Sequence, residues 1–172
     1  MEQGYVQVYT GEGKGKTTAA LGLAMRVAGA GFKVFIGQFV KGQHYSELDS
    51  FLLLKDNVTI KQYGSESFID KGPVSKDIEL AKRGLAEIRE ILKENQHKLV
   101  ILDEANIATY YGLFDPEELI EIIQSKPEHI ELVITGRYAD PKIVELADLV
   151  TEMREIKHYY NMGVMARMGI EN

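Results

Sequence analysis

The sequence predicts an α/β fold, a mostly parallel sheet with helices on both of its faces. Three observations carry this. Short β-rich runs alternate with longer helical stretches along the chain, the pattern of strands joined by crossover helices. One run, Leu99 to Leu102, is apolar without alternation, as expected of a strand buried on both faces. A glycine-rich turn separates the first strand-like run from the first helical stretch, which is the setting of a phosphate-binding loop.

The elements follow in order. Tyr5 to Tyr9 reads as the first strand. Lys16 to Ala30 is rich in Ala and Leu, holds no Pro and ends near Gly29 and Gly31, so it reads as a helix with a glycine stop. Val34 to Phe39 and Val58 to Tyr63 are the next strands. Ser75 to Gln96 places Ile78, Leu80, Ala81, Leu85, Ile88, Ile91 and Leu92 at helical spacing and predicts a long amphipathic helix. After the buried strand at Leu99, Asp115-Pro116-Glu117-Glu118 has the form of a helix start, with Asp at the N-cap and Pro at the first position. Leu132 to Thr135 is a strand, Asp140-Pro141 opens another helix, and Leu149 to Met153 is a last short strand. Lys41 to Lys55 and Gly64 to Val74 are the least regular segments, and irregular loops on such a sheet are where binding sits.

The chain has 172 residues, the size of one domain, here residues 1–172. Apolar residues make up 45% and charged residues 27%, values of an ordinary soluble globular protein. There is no cysteine, which excludes disulfides and Cys-ligated zinc and fits a reducing, cytoplasmic setting. The net charge of −6 argues against a nucleic-acid partner, which calls for a basic face. No apolar run approaches the roughly 20 residues of a membrane span, and the N-terminus lacks the pattern of a secretory signal.

The turn after the first strand reads Thr10-Gly11-Glu12-Gly13-Lys14-Gly15-Lys16-Thr17-Thr18. Glycines at 11, 13 and 15 allow positive φ and close backbone approach to phosphate. The loop N–H groups, Gly11 through Thr18, and the following helix N-terminus form a concave anion site. Lys16 is placed to set its ammonium on the phosphates, and the Thr17 hydroxyl to ligate Mg²⁺. The spacing before Gly15-Lys16-Thr17 is one residue shorter than the common phosphate-loop pattern, with Thr10 where that pattern has its first glycine. The fold is therefore read as a P-loop NTPase (RecA-like) domain.

The strand at Leu99 ends in Asp103-Glu104. In phosphate-loop proteins such a strand carries the carboxylate that meets Mg²⁺. Adjacent carboxylates on a strand point to opposite faces, so only one should address the metal unless the chain turns there. The residues alone leave the choice between Asp103 and Glu104 open. Ile134-Thr135-Gly136-Arg137 closes another buried strand, with Arg137 able to reach phosphate. Lys41 ends the second strand in the same way. Tyr63, Phe68, Tyr110 and Tyr111 lie in or near the irregular segments, and Lys157-His158 through Gly163 forms a polar, aromatic tail.

These residues, in this order, resemble the P-loop type ATP:corrinoid adenosyltransferase family of cobalamin biosynthesis and salvage. The matching blocks are Gly11 to Ala20, Gln38 to Gly42, Val100 to Glu104, Thr135 to Arg137, Glu145 to Met153, and Lys157-His158 through Gly163 to Glu171. The short glycine spacing is the family's own pattern. The resemblance implies that a corrinoid reduced to Co(I), either cobalamin or a precursor, attacks the 5′ carbon of ATP and releases triphosphate. It implies ATP bound in reverse, with the loop on the far phosphate, and Mg²⁺ or Mn²⁺ as cofactor. It favours Glu104 as the metal-proximal carboxylate. It places Phe68 near the corrin, where an aromatic displaces the lower axial ligand, although Ser65-Glu66-Ser67 departs from the family's usual flank. A homodimer and an electron-donating flavoprotein are implied as partners. Better-known members carry an extension before the first strand that covers the site, so the resemblance implies a lid that is shorter, absent or built otherwise. Two other readings remain for comparison: a kinase or NTPase acting at the β–γ bond, and a non-enzymatic nucleotide-binding module or RecA-like strand binder.

Overall fold

A computed structural model describes residues 3–66 and 72–172. Six strands form one sheet: β1 (Val6–Thr10), β2 (Val34–Phe39), β3 (Val58–Tyr63), β4 (Leu99–Asp103), β5 (Glu131–Thr135) and β6 (Leu149–Glu152). Their order is β3-β2-β4-β5-β1-β6 and every pairing is parallel. All six carboxyl ends therefore lie along one edge, where ligands bind in open α/β sheets.

Side-chain alternation divides the core into two layers. Val34 and Ile36 of β2, Leu99 and Ile101 of β4, and Val133 of β5 face α1 (Lys16–Gly29) and α2 (Ser46–Leu52). Phe35 and Phe39, Val100 and Leu102, and Leu132 and Ile134 face the opposite layer. That layer is α3 (Ser75–Glu94), α4 (Ala105–Tyr110), α5 (Pro116–Ser125) and α6 (Pro141–Leu146). Ala20 and Ala24 are fully buried, and their small side chains let α1 lie close over β4 and β5. Burying each large side chain such as Phe35 stabilises the fold by roughly 1.5–3 kcal/mol.

The helix signals in the sequence act as expected. Gly31 takes φ +84° just beyond α1 and its N–H bonds the Ala28 carbonyl at 2.9 Å. At α5 the Glu118 carboxylate reaches back to the Asp115 N–H at 3.3 Å, and at α6 Asp140 accepts from the Lys142 N–H at 2.9 Å. Asp77 accepts from the Val74 N–H at 3.0 Å at the start of α3, and Asn95 ends that helix in the left-handed region. Two short helices do not follow from the sequence reading: α2, inside the segment expected to be irregular, and α4, directly after β4. Among the described residues no helix is long and apolar enough to cross a membrane.

Candidate functional site

The glycine loop is fixed by its own backbone and by β6. Gly11 and Gly15 take φ +95° and +123°, which only glycine adopts without strain. Gly13 is needed for a different reason: a Cβ there would lie 2.7 Å from the Met153 carbonyl. Its N–H donates to that carbonyl at 2.7 Å, and the Met153 N–H donates to Thr10 at 2.8 Å. The loop is thereby sewn to the end of β6. Gly13→Ala is expected to force this seam apart, costing about 1–3 kcal/mol of stability as overpacking does. A thermal melt that leaves the midpoint unchanged would contradict the close approach.

Lys16 is buried, and its ammonium donates to the Gly11 and Gly13 carbonyls at 2.7 and 2.8 Å. Burial pushes it below the usual lysine range, against the pull of Glu104. The charge is thus anchored inside the loop's curve, beside the backbone N–H groups of the loop.

Asp103, fully buried at the end of β4, is the hub of the acidic site. Its Oδ1 accepts from Thr17 Oγ1 at 2.8 Å and Thr135 Oγ1 at 2.7 Å. Its Oδ2 accepts from Lys41 Nζ at 2.8 Å and from Gln38 Nε2 at 3.3 Å. Burial alone would raise this carboxyl. The Lys41 ammonium and the bonds from Lys41, Thr135 and Thr17 outweigh it and hold the group below the usual carboxylate range. Lys41 is held charged in return, since Asp103 and Glu47 overcome the cost of its burial.

The chain does turn at the second carboxylate. Glu104 takes φ +60°, a left-handed conformation, and its N–H donates to Thr135 Oγ1 at 3.0 Å. Strand alternation therefore no longer applies at Glu104. Its side chain lines the pocket while Asp103 sits behind it. Burial and the adjacent Asp103 charge push the Glu104 carboxyl up.

The pocket in front of these groups holds about 890 Å³, within the range of small-molecule sites. Gly13, Lys14, Gly15, Lys16, Thr17 and Thr18 form its floor. Lys41, Glu104 and Arg137 enter from three other strand ends. Leu21 and Met25 of α1 with Phe51 and Leu54 give it an apolar wall, and His158 and Gly169 to Asn172 close another side. Arg137 also pairs with Glu12 at 3.5 Å on the rim. Gly11 and Asp103 shape the site from behind its lining. Phe68 lies outside the described residues. Tyr63 is a core residue, stacked on Phe39 and donating to Glu87 at 2.8 Å. Tyr110 and Tyr138 stack on each other, with centroids 4.2 Å apart, and are not among the pocket's walls.

Sequence reasoning missed several contributors. Gln38 and Thr135 hold Asp103, and each was visible as a polar residue near the carboxyl end of a strand, next to an apolar run. Tyr45, Ser46, Glu47 and Ser50, in and before α2, also line the pocket.

A family model described as ATP:corrinoid adenosyltransferase BtuR/CobO/CobP matches residues 2–172. A corrinoid adenosyltransferase of Escherichia coli K12 is 34% identical over 170 residues, covering 99% of this chain and 86% of its own length. One from Pseudomonas aeruginosa is 33% identical over 171 residues, covering 99% and 84%. One from a Sinorhizobium species is 31% identical over 182 residues, covering 99% and 81%. The matched span takes in the glycine loop, the carboxylate strand and the Arg137 turn, and the chain belongs to the ATP:corrinoid adenosyltransferase family.

Proposed function

We propose that the chain moves the 5′-deoxyadenosyl group of ATP to the cobalt of a Co(I) corrinoid, cobalamin or a precursor, and releases triphosphate. The observation that carries this is the meeting of the Gly13–Thr18 loop, Glu104 and Arg137 in one pocket. The nucleophile is the cobalt of the second substrate, and the bond that breaks is C5′–O. The protein's task is to orient the two substrates and to stabilise a highly charged leaving group. Loop N–H groups, the Lys16 ammonium and Arg137 supply that stabilisation. Glu12 acts indirectly by holding Arg137, and Lys14 and Thr18 border the phosphates.

A divalent ion fits the donor set. The Thr17 hydroxyl and the Glu104 carboxylate are hard oxygen ligands that suit Mg²⁺ or Mn²⁺ held together with substrate phosphates, with Asp103 orienting Thr17 from behind. Such an ion neutralises phosphate charge. Phe68 is proposed to lie against the corrin and keep the lower axial position free. Phe68→Ala is then expected to slow the reaction from Co(II) more than from Co(I) prepared chemically. Equal losses would leave Phe68 a packing or binding residue. A homodimer in the cytoplasm, supplied with electrons by a flavoprotein, completes the proposal.

The decisive experiment is anaerobic incubation with ATP and chemically reduced cobalamin. The corrin spectrum should change to that of the alkylated form, with triphosphate produced in equal amount. ADP and phosphate as products would favour a kinase or NTPase instead.

A further inference from the structure

The C-terminal tail is bonded directly to the phosphate loop. Lys14 Nζ donates to the Ile170 carbonyl at 2.8 Å and lies 3.4 Å from Glu171 Oε1. Ser46 Oγ, at the start of α2, donates to the Asn172 carbonyl at 3.0 Å. The tail is a tight turn in which the Ile170 and Glu171 N–H groups bond the Arg167 carbonyl at 3.1 and 3.0 Å.

Glu171 is held in place independently of Lys14. Its carboxylate accepts from the Arg167 N–H at 2.9 Å, from Arg167 Nε at 3.3 Å and Nη2 at 3.2 Å, and from the Tyr159 hydroxyl. The Arg167 guanidinium lies over the Tyr159 ring, 4.9 Å from its centroid. The acceptor is thus fixed by several bonds, whereas the Lys14 side chain is 40% exposed and, among the described residues, its ammonium is held only by the tail. Lys14 stands between Gly13 and Gly15, on the floor of the pocket. Its ammonium meets the tail carboxylate and borders the pocket that the proposed function assigns to the phosphates.

We propose that Glu171 is a positioning residue that competes with the triphosphate for Lys14 and so weakens the grip of the loop on its leaving group. The inference rests on the phosphate-loop reading above. A loop carrying Lys14, Lys16 and a helix N-terminus would hold a polyanionic product tightly. A fixed carboxylate on one of those ammoniums lowers product affinity without removing the charge that the transition state uses.

The test uses inorganic tripolyphosphate with Mg²⁺ on the full chain, measured by titration calorimetry, so that no corrinoid chemistry is involved. Glu171→Gln loses the charge and keeps one acceptor oxygen, enough for either the Arg167 N–H and Nε or the Tyr159 hydroxyl and Arg167 Nη2, so Tyr159→Phe serves as the control for the lost tail bonds. Glu171→Gln is expected to bind tripolyphosphate about fivefold more tightly, the scale of a partly exposed ion pair. The gain should vanish in a Lys14→Gln background. Tyr159→Phe removes a tail hydrogen bond and leaves the charge, so a purely structural tail would make it resemble Glu171→Gln. The expected result for Tyr159→Phe is affinity equal to wild type or weaker. Unchanged or weaker binding in Glu171→Gln, or tightening that persists without Lys14, would overturn the proposal alone. No binding of tripolyphosphate by the wild-type chain would overturn the phosphate-loop reading and this proposal with it.

Discussion

Lys16→Ala is expected to lower adenosyl transfer at least about a hundredfold, the scale seen when one preorganised donor to a developing charge is lost in a site shielded from water. The bond that breaks leaves negative charge on the triphosphate, and Lys16 is the ammonium held deepest in the loop. Its removal also strips the Gly11 and Gly13 carbonyls of a shared donor. The Gly13 carbonyl belongs to the pocket floor, where water can take the place of the ammonium before substrates bind, so the stability loss should stay near about 1 kcal/mol. Thermal denaturation and the rate with saturating ATP and Co(I) corrinoid separate the two effects. A variant that keeps more than about a tenth of the wild-type rate would mean that the loop does not serve the chemical step.

Much of this arrangement is legible in the sequence because it is local. The strands appear where expected, within a residue or so at each end, since apolar runs bounded by turn residues define them. The glycine loop is legible because its demands are backbone demands, and glycine is what meets them. What stays hidden is pairing between distant strands. Gln38 and Asp103 are register partners across β2 and β4, a relation that no spacing along the chain encodes. The helix α2 buries only Phe51, too little for a periodic signal, and α4 packs Ala105 and Ala108 through small side chains over barely a turn and a half. The tail reaches the loop across 156 residues through Lys14, and its composition alone gives no hint of that contact. The turn at Glu104 is a further case. Alternation predicts opposite faces for the two carboxylates, but the left-handed backbone at Glu104 replaces alternation with a corner.

That corner separates the effects of two nearly isosteric substitutions. Asp103→Asn is expected to destabilise the fold by about 3 kcal/mol, because the largely buried Lys41 loses its 2.8 Å partner and keeps only the longer pair with Glu47 at 3.6 Å. One amide oxygen would also face the donors that two carboxylate oxygens now satisfy. Glu104→Gln should behave in the opposite way. No described residue donates a side-chain hydrogen bond to Glu104, and its charge stands beside that of Asp103, so neutralising it relieves repulsion. The melting temperature should hold or rise, as it does when a site gives up a group retained for function. Activity should nevertheless fall further in Glu104→Gln at limiting Mg²⁺. A carboxylate offers about four lone-pair sites, and on Asp103 all four meet protein donors. The Glu104 sites face the pocket. Titrating Mg²⁺ against rate in both variants, alongside their thermal melts, checks the pair. The opposite Mg²⁺ ranking would assign the metal-proximal role to Asp103, with Thr17 turning from it to make room. A lowered melting point in Glu104→Gln would mean that this carboxylate supports the corner itself.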